Sequence, residues 1–240
     1  MNFITFAVYL RECDGIKWLM LSRRFVIPDI HGCACTFLRL LEEVIRLEKT
    51  DALYLLGDYI DRGPRSNEVL DLLMEYQDRG YTVHPLRGNH EEMFIQAHES
   101  DASFRLWLHN GGYATLDSFK VQKIDDIPSR YREFLLTLPY YIALDDLILV
   151  HGGLNFQIPD PFTDSEAMIW SRSSKVDKEL IGGRRVICGH TPHSLNSIRE
   201  SLTADLIMLD NGCVYNHPEL GNLTALELDT MTLYFQPNID

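Results

Sequence analysis

The strongest constraint on the fold is a repeated pattern: a short apolar segment ends, and polar residues typical of metal or phosphate sites follow at once. In open α/β sheets, ligands bind just beyond the carboxyl ends of the strands. Several such ends that converge would therefore build one site. Five segments show the pattern: Asp29-Ile-His31-Gly32, Gly57-Asp58-Tyr-Ile-Asp61-Arg62-Gly63, Gly88-Asn89-His90-Glu91, His151-Gly152-Gly153 and Gly189-His190-Thr191.

The first part of the chain alternates predicted strands with predicted helices. Residues 24–28, 52–56 and 82–86 are short apolar runs typical of buried strands. Between them, residues of about 35–48 and 67–79 carry apolar side chains at helical spacing. The order βαβαβ predicts an α/β fold with a largely parallel sheet.

The remainder predicts a helical middle and a strand-rich end. Residues 91–138 are expected to form a helical insertion that caps one end of the sheet. The runs 140–144 and 147–150 flank Asp145-Asp146 and indicate a hairpin. A second sheet that faces the first is expected from these runs and from four later apolar segments, at 185–188, 206–209, 223–228 and 232–235.

The N-terminal residues allow two interpretations. Residues 3–10 are apolar, but no positive charge precedes them and no small-residue cleavage site follows, which argues against a secretory signal. Asp14-Gly15 between two apolar runs is typical of a hairpin turn. Alternatively, the segment is a dispensable extension and Met20 is the natural start. We therefore divide the chain into an N-terminal extension, residues 1–22, and one domain, residues 23–240.

Composition excludes several classes of function. Against 35 Asp and Glu there are 22 Lys and Arg, so the net charge is −13. This charge disfavours binding to nucleic acid or to an anionic membrane surface. No apolar run approaches the roughly 18 residues of a membrane helix. The odd number of cysteines and the lack of a Cys-x-x-Cys indicate a reducing compartment, and we expect a cytoplasmic protein. The five are Cys13, Cys33, Cys35, Cys188 and Cys213.

The polar residues at the strand ends are suited to metal binding. Asp29 and His31 are two apart, so in an extended segment both point to one side and could grip one ion. Asp58 could bridge to a second ion through its two oxygens. Imidazole and carboxylate ligands suit Mn, Fe, Zn or Co better than Mg or Ca. The candidate metal ligands are Asp29, His31, Asp58, Asn89, His151 and His190.

The charge of such a site favours a phosphate substrate. Two divalent ions with two Asp ligands leave about +2, which complements a phosphate dianion. Arg62 and Arg172 would add planar donors for phosphate oxygens. Taken alone, any one segment is weak: Asp61-Arg62, for example, could be a surface ion pair that contributes little to stability. Five strand-end segments in one chain are hard to attribute to coincidence.

Together the five segments resemble the signature of the phosphoprotein phosphatase family, within the calcineurin-like metallophosphoesterases. The resemblance spans about residues 24–229. Two further segments, Trp107-Leu108-His109-Asn110-Gly111-Gly112 and Trp170-Ser171-Arg172, resemble the bacterial and phage branch. The resemblance implies an α/β fold: a β-sandwich of two mixed sheets flanked by helices. Asp210-Asn211-Gly212-Cys213 departs from the family's late Asp-Thr-Gly segment, because Asn replaces Thr.

The resemblance also implies a role for each residue. Asp29, His31 and Asp58 would bind the first ion, and both ions are expected to be Mn. A hydroxide bridging the ions would attack phosphorus directly. His90 resembles the general acid and Asp61 its orienting partner, while Arg62 and Arg172 resemble the phosphate-binding arginines. The second ion would be bound by Asp58, Asn89, His151 and His190.

Three functions remain open from the sequence. The first is hydrolysis of phosphoserine and phosphothreonine in proteins, with phosphotyrosine as a further substrate. The second is hydrolysis of diadenosine tetraphosphate, because the motifs recognise phosphate and not the group attached to it. The third is an inactive metal-binding interaction module. The substrate is thus a phosphorylated protein or a nucleotide, and the oligomeric state is not predicted.

Overall fold

The structure is a computed structural model that describes residues 9–13, 16–20, 22–173 and 175–240. The first two strands, β1 and β2, pair antiparallel with Tyr9 opposite Met20. The predicted turn residues, Asp14 and Gly15, lie outside the described residues. The strands are β1 Tyr9–Cys13, β2 Ile16–Met20, β3 Arg24–Ile27, β4 Ala52–Leu55, β5 Thr82–Pro85, β6 Tyr141–Ala143, β7 Leu147–Val150, β8 Arg185–Cys188, β9 Leu206–Met208, β10 Asn222–Glu227 and β11 Thr232–Pro237.

The described helices are short, and two of them continue into π-helical turns. One such turn, Leu40–Val44, follows α1, and the other, Leu108–Gly112, joins α4 to α5. Single 3-10 turns lie at Ile124–Asp126 and Pro161–Thr163. The α-helices are α1 Ala34–Arg39, α2 Ser66–Asp78, α3 Asn89–Gln96, α4 Asp101–Trp107, α5 Tyr113–Phe119, α6 Ser129–Leu136, α7 Ser165–Trp170 and α8 Leu195–Ser201.

Two mixed sheets form the centre of the molecule. The first has the order β11-β10-β3-β4-β5, and the second has the order β6-β7-β8-β9. Strands β3, β4 and β5 are parallel, as the βαβαβ pattern predicts, but β10 is antiparallel to both of its neighbours. The expectation of a largely parallel sheet is therefore correct only for β3 to β5. The hairpin of β6 and β7 is confirmed.

Alternation of side chains along the strands produces separate cores. Val26 and Tyr54 point between the two sheets, where they pack with Leu149 and Ile207. Phe25 and its neighbours on the other face of the first sheet pack against the helices. A smaller core on the outer face of the second sheet includes Val150, Met168 and Ile181. The sheets therefore form a sandwich with helices on its outer faces.

The helical middle is confirmed, and it packs more extensively than a cap would. Phe94, Trp107 and Leu116 belong to the same core as Phe25. Helix α5 packs against α2, and α4 against α3. Helices α7 and α8 were not predicted. None of the helices in the described part of the chain has the length and apolar character that crossing a bilayer requires.

Candidate active site

The five polar segments meet at the carboxyl ends of β3, β4, β5, β7 and β8, and backbone hydrogen bonds join them. The N–H groups of Ile30 and His31 donate to the carbonyl of Asp58, at 3.0 and 2.9 Å. Across the two sheets, the N–H of His190 donates to the carboxylate of Asp29 at 3.0 Å. The convergence of strand ends inferred from the sequence is thus present.

Asp58 lies at the centre of the site. Its Oδ2 is 3.6 Å from Nε2 of His31 and 3.5 Å from Nε2 of His151. Among the described residues, two groups of three could hold a metal ion, with all ligand atoms of each within 4.8 Å of one another: His31, Asp58 and His90, and Asp58, His151 and His190. Asp58 is common to both groups, as expected for a bridging carboxylate.

Backbone carbonyls orient two of the histidine rings. Nδ1 of His31 lies 2.9 Å from the carbonyl of Ile60, and Nδ1 of His151 lies 2.9 Å from the carbonyl of Leu56. A carbonyl only accepts, so each ring must carry its proton on Nδ1. The lone pair on Nε2 then faces Asp58. This arrangement is usual for histidines that ligate metals.

Electron-rich atoms crowd together at the site. The unprotonated Nε2 of His151 lies 2.9 Å from Oδ1 of Asn89 and 3.5 Å from Oδ2 of Asp58. A cation would satisfy these three atoms, and the set of imidazole, amide and carboxylate donors suits a divalent transition metal. The residues present therefore fit a metal site.

Asp29 reaches the site but belongs to neither group of three. Its Oδ1 lies 3.9 Å from Nδ1 of His151, and the carboxylate accepts the N–H of His190. Burial and the nearby carboxylate of Asp210 raise its pKa well above the usual range. Burial and the charge of Asp29 do the same to the pKa of Asp58.

Two glycines leave room for the carboxylates of Asp58 and Asp29 to lie against the backbone of neighbouring segments. A Cβ built on Gly88 would overlap Oδ1 of Asp58, and one on Gly189 would overlap Oδ1 of Asp29. Glycine at these positions lets the carboxylates lie directly against the neighbouring backbone.

His90 and Asp61 form a buried pair beside the metal ligands. Nδ1 of His90 is 2.7 Å from Oδ2 of Asp61, and its Nε2 is 3.9 Å from Oδ2 of Asp58. Burial raises the pKa of Asp61 to about 7, against the effect of hydrogen bonds from Thr115 and Trp107. Burial and the charge of Arg62 lower the pKa of His90. The pair has the geometry of an oriented proton donor, with Nε2 facing the site.

Both predicted arginines point into the site. Arg62 approaches Nε2 of His31 to 2.7 Å, and Nε of Arg172 donates to Nε2 of His190 at 3.2 Å. Burial, with the charges of Arg172 and Arg62, lowers the pKa of His190 to about 4. The structure therefore brings together all ten residues chosen from the sequence.

The site carries an unusual concentration of backbone strain. Eight of the described non-glycine residues have a positive φ, and five of them are site residues. Each such residue costs of order 1–3 kcal/mol and persists only where surrounding contacts enforce it. The strained residues lie in the loops that follow the strands. They are His31, Asp58, Asp61, Arg62 and His190.

Four residues that support the site received no role from the sequence. Glu91 accepts the N–H groups of Asp58, Tyr59 and Gly88, at 2.8, 2.8 and 2.9 Å. A signal existed for Glu91, because it lies in one of the five motifs.

The other three are Asp210, Trp107 and Thr115. The sequence did offer a signal for Asp210, which directly follows an apolar run. In the structure Asp210 is buried, and its charge raises the pKa of Asp29. Trp107 and Thr115 both donate hydrogen bonds to Asp61. They lie 46 and 54 residues from it along the chain, so no local pattern predicts the contact.

Comparisons with known proteins agree with this site. Serine/threonine-protein phosphatase 1 of Salmonella typhimurium is 30% identical over 215 residues, which are 85% of this chain and 91% of that protein. The symmetrical bis(5'-nucleosyl)-tetraphosphatase of Chromobacterium violaceum is 25% identical over 89% of this chain and 94% of its own length. A crystal structure provisionally named a diadenosine tetraphosphatase has a TM-score of 0.65 and 21% identity, and it covers 91% of this chain and 95% of its own.

The fold of two mixed sheets flanked by helices, predicted from the family resemblance, is confirmed. The expectation of an enzyme, as opposed to an inactive metal-binding module, is confirmed as well. The family model for calcineurin-like phosphoesterases matches residues 22–220. The chain therefore belongs to the calcineurin-like phosphoesterase family, and it is a hydrolase.

Proposed function

We propose that the protein is a serine/threonine phosphoprotein phosphatase that uses two divalent ions, with Mn²⁺ as the native metal. The observation that carries the proposal is the similarity to the Salmonella typhimurium phosphatase, which extends over 85% of this chain and 91% of that protein. A match over 85% of a 240-residue chain must include the His90–Asp61 pair and the helical middle, wherever its ends lie.

Each part of the site has a separate task in this proposal. Asp29, His31 and Asp58 would hold one ion, and Asp58, Asn89, His151 and His190 would hold the other. Two bound cations would activate water for in-line displacement and neutralise charge on the phosphate. Arg62 and Arg172 bind the phosphate oxygens through their guanidinium groups, which would turn from the histidine nitrogens that they contact here.

His90 donates a proton to the leaving oxygen of the serine or threonine. The ring must carry that proton on Nε2, because Nδ1 is bound to Asp61 at 2.7 Å. Burial and Arg62 disfavour the charged ring, whereas the carboxylate of Asp61 and a bound phosphate dianion favour it. A general acid of this kind contributes about 10²–10⁴-fold to the rate.

The second candidate function is hydrolysis of a dinucleotide polyphosphate. It is favoured by the tetraphosphatase of Chromobacterium violaceum, which is 25% identical over 94% of its own length. The same ligands and arginines would serve that reaction, because they contact phosphate and not the nucleoside.

The two functions are separated by comparing kcat/KM on Mn²⁺-loaded protein in one buffer. The substrates are a panel of phosphoserine, phosphothreonine and phosphotyrosine peptides, and diadenosine tetraphosphate. We expect the phosphoserine and phosphothreonine peptides to be preferred by at least tenfold. A tenfold preference for the dinucleotide would overturn the proposal in favour of the second candidate.

A further inference from the structure

The carboxylate of Asp61 is held by more partners than the histidine that it contacts. The indole Nε1–H of Trp107 lies 3.0 Å from both Oδ1 and Oδ2 of Asp61. The hydroxyl of Thr115 donates to Oδ1 at 2.6 Å, and Oδ2 is 2.7 Å from Nδ1 of His90. All four side chains are at most 1% exposed, so water does not compete for these bonds.

Thr115 also fixes the backbone of Asp61. The N–H of Asp61 donates to Oγ1 of Thr115 and to Oγ of Ser66, each at 3.0 Å. Asp61 has a φ of 70°, a conformation that a non-glycine residue keeps only under constraint. One hydroxyl therefore restrains both the main chain and the carboxylate of the same residue.

The segment from Trp107 to Thr115 is shaped to make these contacts. It passes through Leu108–Gly112, where the chain is kinked at Gly111, whose φ is 113°. A Cβ on Gly112 would lie 2.5 Å from the indole ring of Trp107, so only glycine leaves room for the ring. The carbonyl of Gly111 accepts the N–H of Arg62 at 3.2 Å. The turn thus supports both members of the Asp61-Arg62 dipeptide.

We propose that Trp107 and Thr115 are positioning residues, which orient the carboxylate of Asp61 so that it holds His90 with Nε2 facing the leaving group. The inference rests on the proposed role of His90 as general acid. Both residues are buried, so neither is placed to touch a substrate. Trp107 directs its N–H across both oxygens, and Thr115 occupies Oδ1, which leaves Oδ2 for His90.

Dependence on the leaving group separates this role from simple packing. Trp107 also packs against Phe94 at a ring-centroid distance of 5.4 Å, so its loss affects the core whether or not it positions Asp61. A phosphate ester with a poor leaving group needs the proton from His90. In p-nitrophenyl phosphate the leaving group is p-nitrophenolate, a weak base that departs largely without protonation. Damage to packing lowers turnover of both esters equally.

The test compares kcat/KM for p-nitrophenyl phosphate and phenyl phosphate on Mn²⁺-loaded variants. Trp107→Phe keeps the ring but removes the N–H, and Thr115→Val keeps the shape but removes the hydroxyl. We expect each to lower turnover of phenyl phosphate about 10–100-fold, and that of p-nitrophenyl phosphate less than threefold. Thr115→Ser should restore most of the loss.

Two reference variants complete the design. Thr224→Val removes another buried hydroxyl, which donates to Leu209 at 2.6 Å in the sandwich core, and should lower both turnovers alike. His90→Asn should show the full leaving-group effect. If it does and Trp107→Phe and Thr115→Val do not, the positioning role is wrong and the acid stands. If His90→Asn itself shows none, the acid assignment fails and this inference with it.

Discussion

Replacing Gly88 by alanine tests the placement of Asp58 by adding a single methyl group. Gly88 has φ −99° and ψ 178°, an extended conformation that alanine adopts freely, so the backbone itself is not strained. The new Cβ would overlap Oδ1 of Asp58 and lie 2.5 Å from its backbone nitrogen. The carboxylate must therefore move.

The magnitude follows from two opposing effects. Overpacking a tight site costs about 1–3 kcal/mol. Alanine reduces the conformational freedom of the unfolded chain, which returns about 0.4–1 kcal/mol. We expect the metal-free variant to lose about 1–2 kcal/mol of unfolding free energy. Displacing a metal ligand or its supporting residue typically lowers metal affinity about 10–100-fold, which is about 1.4–2.8 kcal/mol of binding free energy. Because both ions share Asp58, we expect a loss of this size at each of them.

Two measurements check this prediction: urea unfolding of the metal-free protein, and calorimetric titration with Mn²⁺. Gly153→Ala is the matched control, because its Cβ meets the movable side chain of Ser171 at 3.2 Å. That control should bind Mn²⁺ within about threefold of the wild type. Wild-type Mn²⁺ affinity in Gly88→Ala would refute the view that Asp58 is a ligand held against this backbone.

Two further predictions concern charge at the site. Because burial raises the pKa of Asp29 and Asp58, these carboxyls hold their protons to a higher pH than exposed ones, and bound Mn²⁺ must displace those protons. Mn²⁺ affinity should therefore rise with pH and binding should release protons, which titrations in buffers of different ionisation enthalpy measure. A flat pH profile without proton release would contradict the raised pKa values. Arg172→Ala should leave Mn²⁺ affinity within about threefold but weaken inhibition by inorganic phosphate about tenfold, and unchanged inhibition would remove Arg172 from the phosphate site.

The sequence predicts the candidate site residues and the central strands because most site residues directly follow a strand. Asp29, Asp58 and Asn89 each follow a short apolar run, so periodicity and residue type together locate them. The parallel core of β3, β4 and β5 follows from the same periodicity. Local patterns also suffice for the hairpin of β6 and β7, whose strands are separated by three residues.

Contacts between distant segments are what the sequence does not reveal. Strand β10 pairs with β3 roughly two hundred residues away, and this antiparallel addition makes the first sheet mixed. Trp107 donates a hydrogen bond to Asp61, and the kinked segment that follows Trp107 has no periodic pattern that would predict the contact. Helices α7 and α8, of 6 and 7 residues, are too short for a periodic pattern to distinguish them from loops.

The most direct test of the dinuclear site is the Mn²⁺ stoichiometry of the wild type and of Asp58→Asn. Asp58 belongs to both metal-binding groups, so its loss should weaken both ions together. Asp205→Asn, which removes an exposed carboxylate paired with Lys178, is the control. We predict two tightly bound Mn²⁺ per chain in the wild type and in Asp205→Asn, and none in Asp58→Asn. A single ion in the wild type, or one ion retained tightly by Asp58→Asn, would contradict a site built on a shared carboxylate.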